Sequence, residues 1–311
     1  MRAIVTGGAG FIGSHLVDAL VARGDDVTVI DNLSSGRREQ LNEAAEFTQG
    51  DIRDVDAVRK AFNAASPKVV FHLAAQADVR VSVEQPDFDA DVNVIGTLRI
   101  LEAARQHGAQ VVFASSGGAI YGECERPAPE DAPRLPLAPY GTSKLAGEEY
   151  LGTYNRLHGT GHASLRYGNV YGPRQDPHGE AGVVAIFFGR LAHGQELRIF
   201  GDGRQTRDYV YVQDVVAATM AAQGHEGVFN VGTGIQTSVV ELADACLRAA
   251  GVEAETVFAP ARLGELQRSV LDPTRAERAL GFRARTSMEE GLAATWQFVR
   301  EAEGERAPGA N

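Results

Sequence analysis

Tyr140 and Lys144 are the two side chains whose types and spacing could perform acid–base chemistry. They stand four positions apart at the start of a helical pattern, Tyr140–His158, so both can point into one site. A tyrosine with a pKa of about 10 is a poor base at neutral pH, and lowering that pKa by about three units takes roughly 4 kcal/mol. An ammonium about 6 Å away contributes on the order of 3 kcal/mol at an effective dielectric near 20. The pair could therefore form a phenolate that removes a proton from a substrate hydroxyl.

Two serines, Ser115 and Ser116, stand at the end of an apolar stretch, Gln110–Ala114, that predicts a buried strand. Ligands of a parallel sheet bind beyond the carboxyl ends of its strands. A hydroxyl at this position could therefore meet a substrate hydroxyl beside a cofactor. The same two side chains could instead cap the following turn.

A glycine-rich stretch, Thr6–Gly13, lies between an apolar run and a helical pattern. Glycine lets the backbone approach a ligand, and a helix N-terminus offers unpaired N–H groups to a pyrophosphate. Asp31 ends the next predicted strand, Asp26–Ile30, where a carboxylate can accept hydrogen bonds from a ribose diol. Its charge would repel a 2′-phosphate, which favours NAD over NADP as the cofactor. We interpret Arg37 and Arg38 as solvated loop charges.

Apolar strands alternate with helical patterns up to about residue 168, which predicts a parallel, doubly wound sheet with helices on both faces. The following residues are richer in loops and predict a smaller domain over the open edge of the first. We therefore expect an α/β fold, a Rossmann-type doubly wound parallel sheet with a smaller α/β substrate-binding domain. Besides those named above, the expected strands are Phe47–Gln49, Val69–Leu73, Ala163–Tyr167 and Leu197–Phe200, and the expected helices are Val55–Ala65, Asp87–His107, Val183–His193, Ser238–Ala250 and Met288–Ala302.

Composition excludes several classes of function. The formal net charge of −11 argues against binding polyanions over a broad surface, so neither nucleic acid nor an anionic membrane is an expected partner. The chain begins with a strand rather than a leader, and no apolar run is long enough to span a bilayer, so we expect a cytoplasmic protein. Cys124 and Cys246 stand far apart without neighbouring ligands, and we expect two free thiols and no metal site.

Ten motifs distributed over nearly the whole chain carry a family resemblance. They are TGGAGFIG at 6–13, DNLSSG at 31–36, GDIRD at 50–54, HLAAQADVRVSV at 72–83, VNVIGT at 92–97, SSGGAIYG at 115–122, YGTSK at 140–144, RYGNVYGPRQDP at 166–177, IFGDG at 199–203 and RDYVYVQDV at 207–215. With these motifs the sequence resembles the extended short-chain dehydrogenases/reductases, and most closely the UDP-galactose (UDP-glucose) 4-epimerase family.

The resemblance implies an NAD-binding domain at 1–168, to which a later segment could return, and a UDP-sugar-binding domain at 169–311 with a frayed tail at 303–311. Residues implied to bind NAD are Gly7, Gly10, Phe11 and Ile12 at the pyrophosphate, Asp31 and Asn32 at the adenosine ribose, Asp51 and Ile52 at the adenine, Leu73, Ala74, Ala75 and Asn93 along the cofactor, Lys144 at the nicotinamide ribose, and Tyr167 and Gly168 beside the nicotinamide.

The resemblance also implies a mechanism by transient oxidation of the sugar at C4. Tyr140 would be the general base, and Ser116 would hydrogen-bond the reacting hydroxyl. A 4-keto sugar would turn within the site and be reduced on its other face. Residues implied to bind the UDP-sugar are Asn169, Val183, Val184, Arg207, Arg262 and Glu265, with Ser269 beside the sugar.

The residues before Tyr121 depart from the family pattern. Many of these epimerases have three residues between the catalytic serine and that tyrosine, whereas Ser116 has four. We expect Ser116 to be the catalytic hydroxyl and keep Ser115 in reserve. Related dehydratases and decarboxylases place an acidic residue shortly before the tyrosine. The segment Gly117–Ala119 contains none, which disfavours elimination.

Three alternatives concern the substrate and the class of protein. Ser269 falls where epimerases restricted to glucose and galactose carry a bulky tyrosine, so UDP-N-acetylglucosamine is a second candidate substrate. Because of Arg80, UDP-glucuronate stays a further candidate substrate, and a UDP-glucuronate 4-epimerase a further candidate function. Glu265 replaces the usual aspartate, with one more methylene to reach a ribose diol. A non-catalytic NAD-binding or nucleotide-sugar-binding regulator on the same fold is the alternative of another class; the intact Tyr140 and Lys144 pair weighs against it.

A homodimer is the expected assembly. Relatives pair through two helices that correspond to Asp87–His107 and Tyr140–His158, forming a four-helix bundle. Alternatively, all the apolar residues of these helices face the sheet. The apolar residues in question are Ile95, Leu98, Leu101, Leu151 and Tyr154.

Overall fold

The architecture is taken from a computed structural model, which describes residues 1–177, 182–261 and 266–306. Strands in these residues are short, as expected for an α/β protein. They are β1 (Arg2–Thr6), β2 (Asp26–Asp31), β3 (Glu46–Gln49), β4 (Val69–His72), β5 (Gln110–Ser116), β6 (Ala163–Tyr167), β7 (Asn169–Tyr171), β8 (Leu197–Phe200), β9 (Thr206–Arg207), β10 (Tyr209–Tyr211), β11 (Gly227–Val231), β12 (Thr237–Ser238) and β13 (Thr256–Ala259).

The helices of the described residues include one long helix that changes its winding. A π-helical segment, Asp91–Gly96, continues one helix and leads into the next, so the helix expected over Asp87–His107 is present with a widened middle. The α-helices are α1 (Phe11–Ala22), α2 (Val55–Ala65), α3 (Val79–Glu84), α4 (Pro86–Ala90), α5 (Thr97–His107), α6 (Gly117–Ile120), α7 (Pro139–His158), α8 (Val183–Ala192), α9 (Val212–Ala221), α10 (Val239–Ala250), α11 (Thr274–Leu280) and α12 (Met288–Arg306).

Seven parallel strands form the central sheet in the order β11-β6-β5-β4-β1-β2-β3. The chain runs outward from β1 to β3 and then returns to the other side of β1 with β4. The carboxyl ends of β1 and β4 therefore form a topological switch point, where a crevice opens between diverging loops. The expected Rossmann-type doubly wound sheet is confirmed.

Side chains of the central strands alternate between two apolar layers. Val5 and Val29 belong to the layer beneath α1 and α9, whereas Ile4 and Ile30 belong to the layer beneath α2, α5 and α7. This alternation follows from the period of two in a strand. Burial on both faces explains why these strands are continuous apolar runs in the sequence.

A third apolar cluster lies in the second half of the chain, where α8, α10 and α12 pack around β8. Phe188 contacts Trp296 with ring centroids 5.4 Å apart. The last helix continues through Arg306, beyond the expected start of the frayed tail at 303; residues 307–311 lie outside the described residues.

The segment that returns to the first domain comprises α9 and β11. β11 pairs with β6 at the edge of the central sheet, and α9 packs against α1. The sequence alone allows for such a return but predicts no helix or strand over 212–231. The domain boundaries therefore stay a prediction, with α9 and β11 placed on the first domain's sheet.

Leu101 and Leu151 do not lie on an exposed helix face. They are 0% and 2% exposed and pack in the layer of Ile4. Ile95 is different, because 41% of its surface is exposed. None of the helices in the described part of the chain has the length and apolar composition required to cross a bilayer.

Candidate functional site

A cleft of about 650 Å³ opens at the carboxyl edge of the central sheet. Its walls include residues at or just beyond the ends of the first six strands. Sequence-predicted site residues that line it are Gly7, Gly10, Phe11, Ile12, Asp31, Asn32, Asp51, Ile52, Leu73, Ala74, Ala75, Tyr140, Lys144 and Tyr167.

The glycine-rich stretch fits a dinucleotide pyrophosphate for steric reasons. Gly7 has a φ of +69°, and a Cβ there would lie 2.6 Å from the backbone nitrogen of Ala74. A Cβ on Gly13 would lie 2.1 Å from the carbonyl oxygen of Gly7. α1 begins after Gly10 with no side-chain cap and no acidic residue in its first turn. Its first N–H groups therefore remain available to an anion in the cleft.

Asp31 is fixed by the backbone at the end of β2. Its two carboxylate oxygens accept hydrogen bonds from the N–H groups of Ala9, at 2.9 Å, and Leu33, at 2.8 Å. Each oxygen keeps lone-pair capacity for a further donor. This arrangement fits the ribose diol of NAD.

Asn32 and Asp51 meet beyond the ends of β2 and β3, where the Asn32 amide donates to Asp51 at 3.0 Å. Hydrogen bonds from Arg53 hold the pKa of Asp51 well below its usual range. Arg53 also pairs with Asp91 of the π-helical segment, at 3.2 Å. The carboxylate of Asp51 thus stays charged and oriented.

Asn93 is not among the residues that line the cleft. Its side chain instead braces the loop after β4, accepting from the Gln76 N–H at 3.0 Å and donating to the Gln76 carbonyl at 2.8 Å. Asp89 accepts from both Asn93 and Gln76, each at 2.9 Å, and from the Ser143 hydroxyl at 2.6 Å. The expected cofactor residue therefore acts on the cleft through a loop that lines it.

Tyr140 and Lys144 lie together in the cleft near the start of α7. Lys144 is 3% exposed, and its ammonium donates to the carbonyl of Ala114 at 2.9 Å. The same nitrogen lies 5.9 Å from the centre of the Tyr140 ring. The helical spacing thus brings a buried cation and a phenol to the end of β5, as the sequence predicts.

Ser115 and Ser116 have different surroundings. Ser115 is 3% exposed, lines the cleft and donates its hydroxyl to Glu148 at 2.5 Å. Ser116 is half-buried and is not a lining residue of the cleft, and no side chain or backbone group of the described residues hydrogen-bonds its hydroxyl. Of the two serines, Ser116 is therefore the one whose hydroxyl is not engaged by another described residue.

Of the other residues expected to bind the UDP-sugar, five described ones do not line this cleft: Asn169, Val183, Val184, Arg207 and Ser269. The Ser269 N–H donates to the carbonyl of Thr206 at 3.2 Å, so Ser269 lies beside Arg207 of β9. Val184 is buried at the start of α8. Gly168, Asn169 and Val183 are only partly exposed, and a Cβ added to Gly118 would lie 3.4 Å from the Asn169 side chain. Arg262 and Glu265 lie outside the described residues.

The loop at 172–177, with the sequence GPRQDP, was not predicted to belong to the site. Three of its residues nevertheless line the cleft: Arg174, Gln175 and Asp176. Arg174 pairs with Asp18 of α1 at 2.7 Å, and Asp176 pairs with Arg37 at 3.2 Å. Arg37 is 44% exposed in this pair, so its interpretation as a solvated loop charge stays a prediction, although its side chain also lines the cleft. The motif could have marked this loop as part of the site. Its contacts could not be predicted, because they join residues more than a hundred positions apart.

The NAD dependent epimerase/dehydratase family matches residues 3–232. The UDP-glucose 4-epimerase of Mycolicibacterium smegmatis is 50% identical over 310 residues, with 96% of this chain and 99% of that protein covered. The chain belongs to the NAD-dependent epimerase/dehydratase family.

Two solved structures of family members share the whole architecture. The UDP-glucose 4-epimerase of Thermotoga maritima, solved with UDP-glucose, has a TM-score of 0.95 at 47% identity, covering 97% of this chain and all of that one. The UDP-glucose 4-epimerase of Thermus thermophilus, solved with NAD, has a TM-score of 0.93 at 48% identity with the same coverage. Family membership confirms the resemblance drawn from the motifs, the enzyme class and NAD as the cofactor.

Proposed function

We propose that this chain interconverts UDP-galactose and UDP-glucose by inverting C4 of the hexose. The observation that carries the proposal is the Lys144 ammonium, buried beside Tyr140 in the same cleft as the glycine-rich stretch. The names of the similar proteins support the choice of substrate. The absence of an acidic residue in Gly117–Ala119 supports epimerisation over elimination.

In the proposed mechanism Tyr140 is the general base. It takes the proton from the sugar O4 and later returns it, while Lys144 stabilises the phenolate by its charge. Ser116 hydrogen-bonds O4 and holds it toward the phenol oxygen. When bound, NAD would supply a reversible acceptor for the hydride that leaves C4. The 4-keto sugar turns within the site, so that C4 can be reduced from either face.

The second half of the chain would hold the UDP group. Arg207 and Asn169 offer a guanidinium and an amide, and α8 offers backbone N–H groups near Val183 and Val184. A guanidinium forms short, charge-assisted bonds to phosphate oxygens. The roles of Arg262 and Glu265 stay predictions. Asp78 pairs with Arg80 at 2.7 Å, which weakens the reason for a uronate substrate.

The small side chain of Ser269 favours a second candidate substrate, UDP-N-acetylglucosamine. Ser269 is 3% exposed and adds little bulk beside β9. Conversion of UDP-N-acetylglucosamine to its C4 epimer, compared with conversion of UDP-galactose under the same conditions, tests this. No turnover of the N-acetyl sugar would exclude it as a substrate.

For the assembly we propose a homodimer through α4, α5 and α7 and the π-helical segment. Exposed apolar side chains on or beside these elements support it, since Ile95 is 41% and Leu157 70% exposed. Exposed apolar side chains mark an interface where they form one contiguous patch, and the proposed dimer requires that these do. Sedimentation equilibrium measures the mass in solution, and a monomer at micromolar concentration would refute the dimer. The cytoplasmic location stays a prediction.

The deciding experiment incubates the purified protein with UDP-galactose and measures UDP-glucose. Tyr140→Phe removes the phenol oxygen, and we expect turnover to fall by roughly 100-fold or more while NAD remains bound. Tyr150→Phe is the matched control, because Tyr150 lies on the same helix with 40% exposure. No conversion by the unsubstituted chain would favour the non-catalytic regulator. Wild-type turnover in Tyr140→Phe would refute the role of Tyr140.

A further inference from the structure

A buried ion pair lies behind the end of β5. Glu148 and Arg166 have side chains that are each 2% exposed. The Arg166 Nε donates to both carboxylate oxygens, at 2.9 and 3.1 Å, and Nη2 donates to Oε2 at 2.6 Å. Burying two charges is a costly way to gain stability, because desolvation cancels much of their attraction. The placement of this pair therefore calls for a reason other than stability.

The Glu148 carboxylate has a third partner, the Ser115 hydroxyl. Each of the three groups is next to a residue of the proposed site. Ser115 precedes Ser116 in β5, and Arg166 precedes Tyr167 in β6. Glu148 lies one helical turn after Lys144 in α7. One carboxylate thus joins the three elements that carry the proposed base, the proposed hydroxyl and a wall of the cofactor cleft.

Arg166 extends the cluster toward the residues that follow Ser116. Its Nη1 donates to the Tyr121 hydroxyl at 2.6 Å and to the Glu130 carbonyl at 2.9 Å. Arg166 therefore holds the segment between β5 and α7, which follows the serines, at two points. The guanidinium is thus linked to Ser115 through Glu148, and to the residues after Ser116 through Tyr121 and Glu130.

We propose that Glu148 and Arg166 are positioning residues that engage the Ser115 hydroxyl, and thereby make Ser116 the hydroxyl that faces the sugar. The inference rests on the proposed epimerase function. A serine hydroxyl has a single proton, and Ser115 donates it to the carboxylate. Neighbouring side chains of a strand point to opposite faces, so fixing Ser115 toward α7 turns Ser116 away from the Glu148 carboxylate, at the point where β5 ends and α6 begins.

The test compares Ser115→Ala, Glu148→Gln and their double variant with Ser116→Ala. We expect Ser116→Ala to lower kcat roughly 100-fold. Ser115→Ala and Glu148→Gln should each lower kcat by about tenfold with little change in KM, since they loosen the alignment of Ser116 rather than remove it. The double variant should be no slower than the slower single variant, because both changes break one contact.

A stability control separates positioning from support of the fold. Glu148→Gln leaves the Arg166 charge buried and unpaired, which destabilises the protein. The double variant Glu148→Leu/Arg166→Met replaces the pair with apolar groups and should recover the wild-type Tm and NAD content while kcat stays low. Glu149→Gln changes an exposed position of the same helix and is the control. Its Tm, NAD content and kcat should all match those of the wild type.

Four outcomes would overturn the inference. A wild-type kcat in Ser115→Ala and Glu148→Gln, or in Glu148→Leu/Arg166→Met, would show that Glu148 and Arg166 only stabilise the fold. A loss in Ser115→Ala as large as that in Ser116→Ala would make Ser115 the catalytic hydroxyl. Additive losses in the Ser115→Ala/Glu148→Gln variant would show that the two act separately. No conversion of UDP-galactose by the unsubstituted chain would overturn the proposed function, and the inference with it.

Discussion

His72 lies at the end of β4 with no exposed surface, between the hydroxyls of Thr6 and Thr97. Thr97 donates its proton to the carbonyl of Asn93 at 2.7 Å, so its oxygen accepts from Nε2 of His72. Nδ1 then accepts from the Thr6 hydroxyl, at 2.7 Å. This network assigns the neutral ring with its proton on Nε2. Burial, and after it the charge of Lys144, lowers the pKa of His72 to about 3.

The stability of the fold should fall in mild acid because of His72 and His162. Burial lowers the pKa of His162 to about 4. Both values lie below the ordinary 6.5, so the unfolded chain binds more protons as the pH falls. Above pH 6.5 the contribution of these residues to the free energy of unfolding is fully present. As the pH falls below 6.5 it is lost, at about 1.4 kcal/mol per pH unit for each histidine. Urea unfolding between pH 7.5 and 4.5 measures this slope.

The matched variants are His162→Gln and His225→Gln. The first removes a buried titrating group and should reduce the slope of stability against pH by about 1.4 kcal/mol per unit. His225 is exposed and its replacement should leave the slope unchanged. An unchanged slope in His162→Gln would contradict the assignment of acid sensitivity to this residue.

At the scale of the elements, the glycine-rich stretch and α1 act as one unit. β1, the turn and the helix pack so closely that backbone atoms contact backbone atoms. A side chain in this turn therefore moves the main chain and not merely a neighbouring rotamer. The N–H groups of α1 would move away from the pyrophosphate they are expected to bind.

Gly13→Ala should weaken NAD binding at least tenfold, because its Cβ would lie 2.1 Å from the Gly7 carbonyl oxygen. Calorimetric titration of NAD into protein stripped of cofactor measures this. Gly152→Ala is the control, since it lies within α7 where the nearest atom to a new Cβ is the flexible end of Arg156, at 3.3 Å. NAD affinity in Gly13→Ala equal to that of the control would refute the close packing of the turn.

At the scale of the whole molecule, β11 joins the two halves of the chain. Asn230 of this strand accepts from the Tyr121 hydroxyl at 2.8 Å and donates to the carbonyls of Ala128 and Asp272, at 2.8 and 3.1 Å. These partners belong to segments more than forty positions away on either side of Asn230. The edge of the central sheet is thus formed together with the second half.

Asn230→Ala should lower the free energy of unfolding by about 3 kcal/mol or more, since three polar groups in or near the core lose a partner. Denaturant unfolding followed by circular dichroism measures the loss. Gln297→Ala, at an exposed site of α12, should stay within about 0.5 kcal/mol of the wild type. Equal stability of the two variants would show that β11 is not held through Asn230.

The sequence by itself determined the features that depend on neighbouring positions. The spacing of Tyr140 and Lys144 places both on one helix face, because residues four apart always meet on an α-helix. The glycines before α1 and the carboxylate at the end of β2 also follow from short-range patterns. The order of the first six strands and of the main helices between them was predictable for this reason, and with it the fold class, whereas α9 and β11 were not predicted.

The tertiary structure alone decided which side chains meet across long separations. Ser115 is engaged by a carboxylate thirty-three positions later, so sequence could not choose between the two serines. Asn93 lies behind the cleft rather than in its wall, and Arg37 meets a loop that begins far along the chain. Such contacts are set by how helices and strands pack against each other, and packing depends on shapes and distances that spacing along the chain does not encode.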